Sequence, residues 1–138
     1  MKRKIAARRS TCPIACALDV IGDKWTLVVL RDVIMAHKRY FQELLASNER
    51  IATNILTSRL KRLEAGGLIT RRVDPAQARR VIYTPTEKAL DLLPVLIELM
   101  RWSLTYTSGS AAPAHFVRRL AEDRDGFIAE LRAAHART

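Results

Sequence analysis

The chain has 138 residues, 49% of them hydrophobic, and a formal net charge of +10 from 24 Lys+Arg against 14 Asp+Glu. That length suits one domain with a sizeable core, and five glycines and five prolines amid widespread helical periodicity make it mostly α. The charge points to an anionic partner, nucleic acid ahead of an acidic membrane surface. No apolar run is long enough to span a bilayer, and two cysteines make no disulfide scaffold.

Residues 1–11 read as a flexible basic arm: Lys2, Arg3, Lys4, Arg8 and Arg9 carry no acid among them. The arm resembles a signal peptide's start, but Asp19, Asp23 and Lys24 interrupt the apolar segment that would have to follow, so a cytoplasmic protein is expected. Residues 12–138 read as a single domain. Pro13 opens a short helix that ends near Ile21 and Gly22. Asp23 is placed to cap a second helix, Lys24 to about Met35, whose apolar residues lie almost all round and therefore belong in the core. The loop His37-Lys38-Arg39 leads to a third helix, Tyr40 to about Ala46, with Tyr40 and Leu44 on its inner face.

The stretch from Ile51 to Tyr83 says most. Leu56, Leu60 and Leu63 share one face of a helix expected over about 53–65, while Thr53, Asn54, Thr57, Ser58 and Lys61 form a polar, short-chained, basic face. The leucines can hold such a helix to a core while the other face approaches base edges in a major groove. Gly66-Gly67 should stop it. Two short strands follow over about 69–84, joined through Asp74-Pro75 and carrying Arg71, Arg72, Arg79 and Arg80. A recognition helix followed by an arginine-bearing hairpin is the layout of a winged helix-turn-helix. Between Arg50 and Arg80, eight basic residues face only Glu64 and Asp74, so the basic region and the presumed DNA-facing region coincide.

Thr84 or Thr86 can cap the next helix, and Thr84-Pro85-Thr86-Glu87 fits a capping box with proline at the first helical position; that helix is expected over about 86–107, with Pro94 kinking it or marking a bend. A last amphipathic helix, about 113–135, carries Gly126 in its middle. Together with the helix over 13–21, these two have more apolar positions than a small core needs, and leftover stripes in a small domain usually meet a symmetric partner. Trp25 and Trp102 read as core residues rather than as the lining of a ligand pocket.

Cys12-Pro13-Ile14-Ala15, Leu18-Asp19-Val20-Ile21-Gly22-Asp23-Lys24-Trp25, Leu30-Arg31-Asp32 and Lys38-Arg39-Tyr40 with Glu43-Leu44 resemble the start of HxlR-type, MarR-like transcriptional regulators. Leu56-Thr57-Ser58-Arg59-Leu60 resembles that family's recognition stretch, Tyr83-Thr84-Pro85-Thr86-Glu87-Lys88 the end of its wing and Trp102 the helix that follows, so that the resemblance covers roughly residues 10–105. It implies a dimeric winged-helix DNA-binding protein, repressor or activator, dimerised through its N-terminal and C-terminal helices. It also implies that a cysteine near the N-terminus can sense oxidants, electrophiles or aldehydes, and Cys12 falls on that position. The chain departs from the pattern at three places. Ala52 stands where a capping serine is common, leaving Thr53 to cap; Ala89 stands where glycine is common; Cys16 is an additional thiol.

The expected DNA-facing residues are Thr53, Asn54, Thr57, Ser58 and Lys61 on the helix, Arg79 at the wing tip, and Arg39 ahead of the third helix as a phosphate clamp. Arg59 and Arg62 suit phosphate or local ion pairs equally. The partner is double-stranded DNA, read as a pseudo-palindrome by a homodimer with its two helices about one helical turn apart. Cys12 sits ahead of a helix N-terminus, close in sequence to Arg8 and Arg9, which favours its thiolate. Cys16 is one turn on, within reach of an intrachain or intersubunit disulfide. The alternatives are structural cysteines with a small-molecule effector, and a basic RNA-binding protein, against which 6% aromatic content counts. A thiol-disulfide enzyme lacks both a Cys-x-x-Cys spacing and a βαβ setting. His37, His115 and His135 share no zinc-site spacing with the cysteines, and no phosphate loop or nucleophile–base arrangement is present, so no metal, cofactor or enzymatic activity is assigned.

Overall fold

The computed structural model describes residues 10–136; the arm expected over 1–11 lies outside them except for its last two residues. Helix α1 (Pro13–Ile21) starts at its proline as expected and buries none of its residues. Asp23 then organises the approach to α2 (Thr26–Ile34). Its carboxylate accepts from the N–H groups of Trp25 and Thr26 and from the Thr26 hydroxyl, so Lys24 and Trp25 form a turn and α2 begins two residues later than expected. Val29, Leu30, Val33 and Ile34 are buried, which makes α2 the central helix.

Helix α3 (Phe41–Leu45) is short, with Tyr40 as its N-cap residue. The Glu43 carboxylate reaches back to the N–H groups of Arg39 and Tyr40, both at 3.1 Å. Tyr40 does not share the inner face with buried Leu44. Its ring is half-buried, and its hydroxyl donates to Asp74 at 3.2 Å, tying the start of α3 to the turn of the hairpin.

Helix α4 (Thr53–Ala65) buries Leu56, Leu60 and Leu63, the three residues of the leucine stripe. Its N-cap is Ala52, and Thr53 is the first helical residue, so Thr53 does not cap; no side chain caps this end. The C-terminus closes as the two glycines required. Gly67 takes φ +74°, the N–H of Leu68 bonds to Leu63 O at 2.8 Å, and that of Gly67 to Glu64 O at 3.0 Å. This is the Schellman arrangement, and a side chain at Gly67 would be strained in it.

Strands β1 (Ile69–Asp74) and β2 (Gln77–Pro85) pair antiparallel, with Arg72 opposite Ile82 and an irregularity between Val73 and Asp74. Buried Asp74 holds the turn by accepting from the Ala76 N–H at 2.8 Å. Pro85 ends β2, so the capping box expected at Thr84 does not form. Thr86 caps α5 (Glu87–Leu90), accepting from Ala89 N and donating to Gly67 O at 2.6 Å. Ala89 is fully buried there, which suits a small residue. The long helix expected over 86–107 is two helices. After α5 the chain turns, and Pro94 lies in the first turn of α6 (Leu93–Tyr106), where its missing N–H is harmless, so it opens that helix instead of kinking one.

The last helix likewise divides, into α7 (Ala114–Glu122) and α8 (Arg124–Ala133). Asp123 leaves helical geometry and caps α8 by accepting from Gly126 N at 3.0 Å, so Gly126 lies in a first turn rather than mid-helix. Phe127 and Leu131 bring α8 onto the core, and His135, just beyond it, hydrogen-bonds through Nε2 to Ile34 O at 2.6 Å. The core runs through α2, α4, α6 and β1. No described helix is long and apolar enough to cross a membrane.

Candidate nucleic-acid interface

With its leucines turned inward, α4 presents Thr53, Asn54, Ser58 and Lys61 to solvent. Thr57 is half-buried, and its hydroxyl donates to Thr53 O at 2.9 Å, leaving its oxygen lone pairs as the group it can still offer. Between α4 and the hairpin lies a depression of about 380 Å³ in which Thr57 and Lys61 meet Arg71 of β1 beside Phe41 and Tyr83. The helix and the wing thus share one surface.

Arg59 leaves that surface. Its Nε bonds to Asp23 at 2.7 Å, and Arg62 stands 3.9 Å from the same carboxylate. Burial pushes the Asp23 carboxyl up, but the hydrogen bonds from Thr26, Arg59 and Trp25 outweigh it and hold the group well below the usual carboxylate range. Of the two readings left open for Arg59, the ion pair is the one realised.

The four hairpin arginines are all exposed, although Tyr83 and Ile82, the cross-strand partners of Arg71 and Arg72, are buried. They differ in engagement. Arg80 lies over the Tyr40 ring, its guanidinium carbon 3.4 Å from the centroid. Arg79 lies in the stretch of β2 between the pairs Asp74–Gln77 and Val73–Val81, and makes no ion pair among the described residues.

The loop ahead of α3 also separates by function. Lys38 turns inward to Ser47 at 3.1 Å and Asp32 at 3.4 Å. His37 stacks on His135 at 4.7 Å. Arg39 keeps its side chain half-exposed while its carbonyl accepts from Tyr83 N at 2.8 Å, which seats it beside the wing. The model of the HxlR-like helix-turn-helix matches residues 20–111, the span holding all these elements.

The chain belongs to that family. It is 37% identical over 92 residues to an uncharacterized HTH-type transcriptional regulator of Halalkalibacterium halodurans, covering 67% of this chain and 81% of that protein. Among solved structures it is similar to the reduced form of the transcriptional regulator YodB from B. subtilis, with TM-score 0.58 and 29% identity over 74% of this chain and 100% of that one. It is also similar to the redox regulator HypR in its oxidized form, with TM-score 0.61 and 30% identity over 70% and 99% of the two chains. This HxlR-like protein is therefore a transcriptional regulator of the winged helix-turn-helix type.

Its two cysteines are thiols on α1 and its cap. Cys12 is the exposed N-cap residue, and hydrogen bonding from the backbone at Ala15, then Ile14, lowers its pKa from the usual thiol value. The expected contribution of Arg8 and Arg9 falls outside the described residues. Cys16, half-buried one turn on, points its sulfur to Ser10 O at 3.7 Å.

Sequence reasoning missed the buried charge that supports the interface from behind. Asp32 on α2 is buried, and it accepts from Ser47, Lys38 and Arg31. Arg31 also forks onto Glu49 in the turn ahead of α4. The sequence signal was the adjacent Arg31-Asp32 pair inside a largely apolar helix. Trp102, expected in the core, is instead 63% exposed.

Proposed function

We propose that the protein is a sequence-specific, homodimeric DNA-binding regulator that reads base edges with Asn54, Thr53, Thr57, Ser58 and Lys61 of α4. Arg79 of the wing and Arg39 ahead of α3 add phosphate or minor-groove contacts. The observation that carries this reading is the exposed polar face of α4, continuous with an arginine-rich wing and backed by a fully buried leucine stripe. A helix so anchored can bring short polar side chains to base edges in a major groove.

Dimerisation has its own support. Val95, Leu99, Trp102 and Tyr106 are exposed at spacings of four, three and four along α6, and Ile14 and Leu18 are exposed on α1. Two such apolar stripes are unusual on a monomer. The dimer would place two α4 helices in successive major grooves of a pseudo-palindromic operator.

A thiol switch at Cys12 is the second part of the proposal, supported by its exposure, its lowered pKa and the likeness to a redox regulator. The test is binding of the reduced protein to its own upstream DNA, repeated after diamide and after diamide followed by reductant. The reading expects tight binding, lost on oxidation and restored by reductant. Binding indifferent to diamide removes the switch and leaves the regulator; absence of duplex binding, or tighter binding to RNA, removes the regulator reading itself.

A further inference from the structure

A cavity of about 560 Å³ opens between the C-terminal end of α2, the middle of α6 and the segment entering α7. None of its lining residues belongs to α4, and neither cysteine is among them. Met35, Met100, Leu104, Pro113 and Phe116 form its apolar walls. Two methionines facing one space give it adaptable walls that conform to flat or branched apolar groups. The His115 ring stands edge-on to Phe116, 4.7 Å between centroids, so one side of the cavity is aromatic.

The polar groups are few and specific. The hydroxyls of Ser103 and Ser110 lie 2.8 Å apart on the lining, joining α6 to the α7 segment. A hydroxyl pair offers one donor and several lone pairs, and suits a single hydroxyl or carbonyl group on a ligand. The one guanidinium among the described lining residues, that of Arg31, is already held by Glu49 and Asp32. An anionic ligand would find that charge neutralised, so the cavity favours an uncharged one. The volume and the mix of many apolar groups with few polar ones match a small-molecule site.

We propose that this cavity binds an uncharged, largely apolar small molecule of two or three rings carrying one hydrogen-bonding group. Arg31 gives the site a consequence, because the same side chain lines the cavity and holds the turn ahead of α4. A ligand pressing on Arg31 biases the seating of the recognition helix. That consequence rests on the reading of the chain as a DNA-binding regulator; occupancy of the cavity does not.

The probe is N-phenyl-1-naphthylamine, an uncharged three-ring amine with a single N–H, titrated into full-length protein carrying 13C-methyl methionine. The chain has three methionines, and two of them line the cavity. Saturable binding with ring-current shifts of the Met35 and Met100 methyls is expected, and Ala112→Phe should weaken it about tenfold or more. Charged 1-naphthoate at equal concentration should leave both methyls in place. Three results overturn the proposal: no saturable binding, shifts from naphthoate equal to those from the amine, or binding that leaves both methyls unmoved and vanishes in Trp102→Ser. If Ala112→Phe does not fold, the wild-type methyl shifts decide alone. Operator affinity that changes severalfold with the probe supports the link through Arg31, and unchanged affinity removes that link while the methyl shifts still report the site.

Discussion

The Arg31 guanidinium meets both carboxylate oxygens of Glu49, each at 2.8 Å, and so joins the central helix to the turn from which α4 departs. The hydrogen bonds from Arg31 hold the Glu49 carboxyl down at about 2, against an ordinary glutamate value of 4.5, with burial opposing the shift. A carboxylate with a lowered folded-state pKa contributes stability above its unfolded value and loses it as pH falls through the folded one. The contribution of Glu49 is therefore complete above pH 4.5 and lost between there and about pH 2. Thermal melts across that window should show wild type losing more stability than Glu49→Gln; parallel curves for the two would refute the pairing.

On the proposed reading, Asn54 takes part in base readout, because its amide can pair with an adenine edge. Asn54→Ala should cost about 1–3 kcal/mol of specific binding and relax preference at one position of each half-site. Arg79→Ala should instead weaken all sequences alike and reduce the salt slope by about one for each phosphate that the side chain neutralises. A binding-site selection with each variant separates these roles, and an unaltered preference with Asn54→Ala would take that residue off the interface.

The apolar stripe of α6 predicts its own disruption. Leu99→Glu and Trp102→Glu place charge on residues that are exposed in the single chain, so each should fold with native helix content. If the proposed dimer forms through this stripe, sedimentation should find a dimeric wild type and monomeric variants, with operator affinity falling together with dimer content. Variants that remain dimeric would move the interface elsewhere.

Cys12 should be the faster thiol. Its cap position favours thiolate, so alkylation by iodoacetamide near neutral pH should modify Cys12 ahead of Cys16, with a rate inflection below the ordinary thiol value of 9.0. Peptide mapping over time distinguishes the two sites. Equal rates, or Cys16 first, would contradict the helix-terminus effect.

Gly22 closes α1 with no room for a side chain. A Cβ there would sit 2.2 Å from Leu18 O, a backbone atom that cannot step aside. Gly22→Ala should destabilise by about 1–3 kcal/mol, as overpacking does, and denaturant unfolding would detect it. A loss below about 0.5 kcal/mol would mean that the α1–α2 junction yields more easily than the close approach implies.

Local periodicity carried the fold. The leucine spacing of α4, its double-glycine stop, the arginine hairpin and the proline at the start of α1 act over one or two turns of chain, and all appear where the sequence placed them. Two of the boundaries that moved were set by caps: Asp23 accepts the Trp25 and Thr26 N–H groups and starts α2 later than expected, and Asp123 accepts from Gly126 and starts α8 where periodicity alone ran on.

What only the tertiary structure decided is the fate of individual charges and rings. Along the chain Arg59 suits phosphate or an ion pair equally, and it is Asp23, 36 residues away, that draws it into the ion pair while Lys61 stays in solvent. Lys38 turns to Asp32 and Ser47, Arg39 stays beside the wing, and Trp102 is left on a bare face. These outcomes depend on which distant groups the packing brings within hydrogen-bond reach. A repeat of 3.6 residues says which side of a helix a residue occupies, but not what waits on that side.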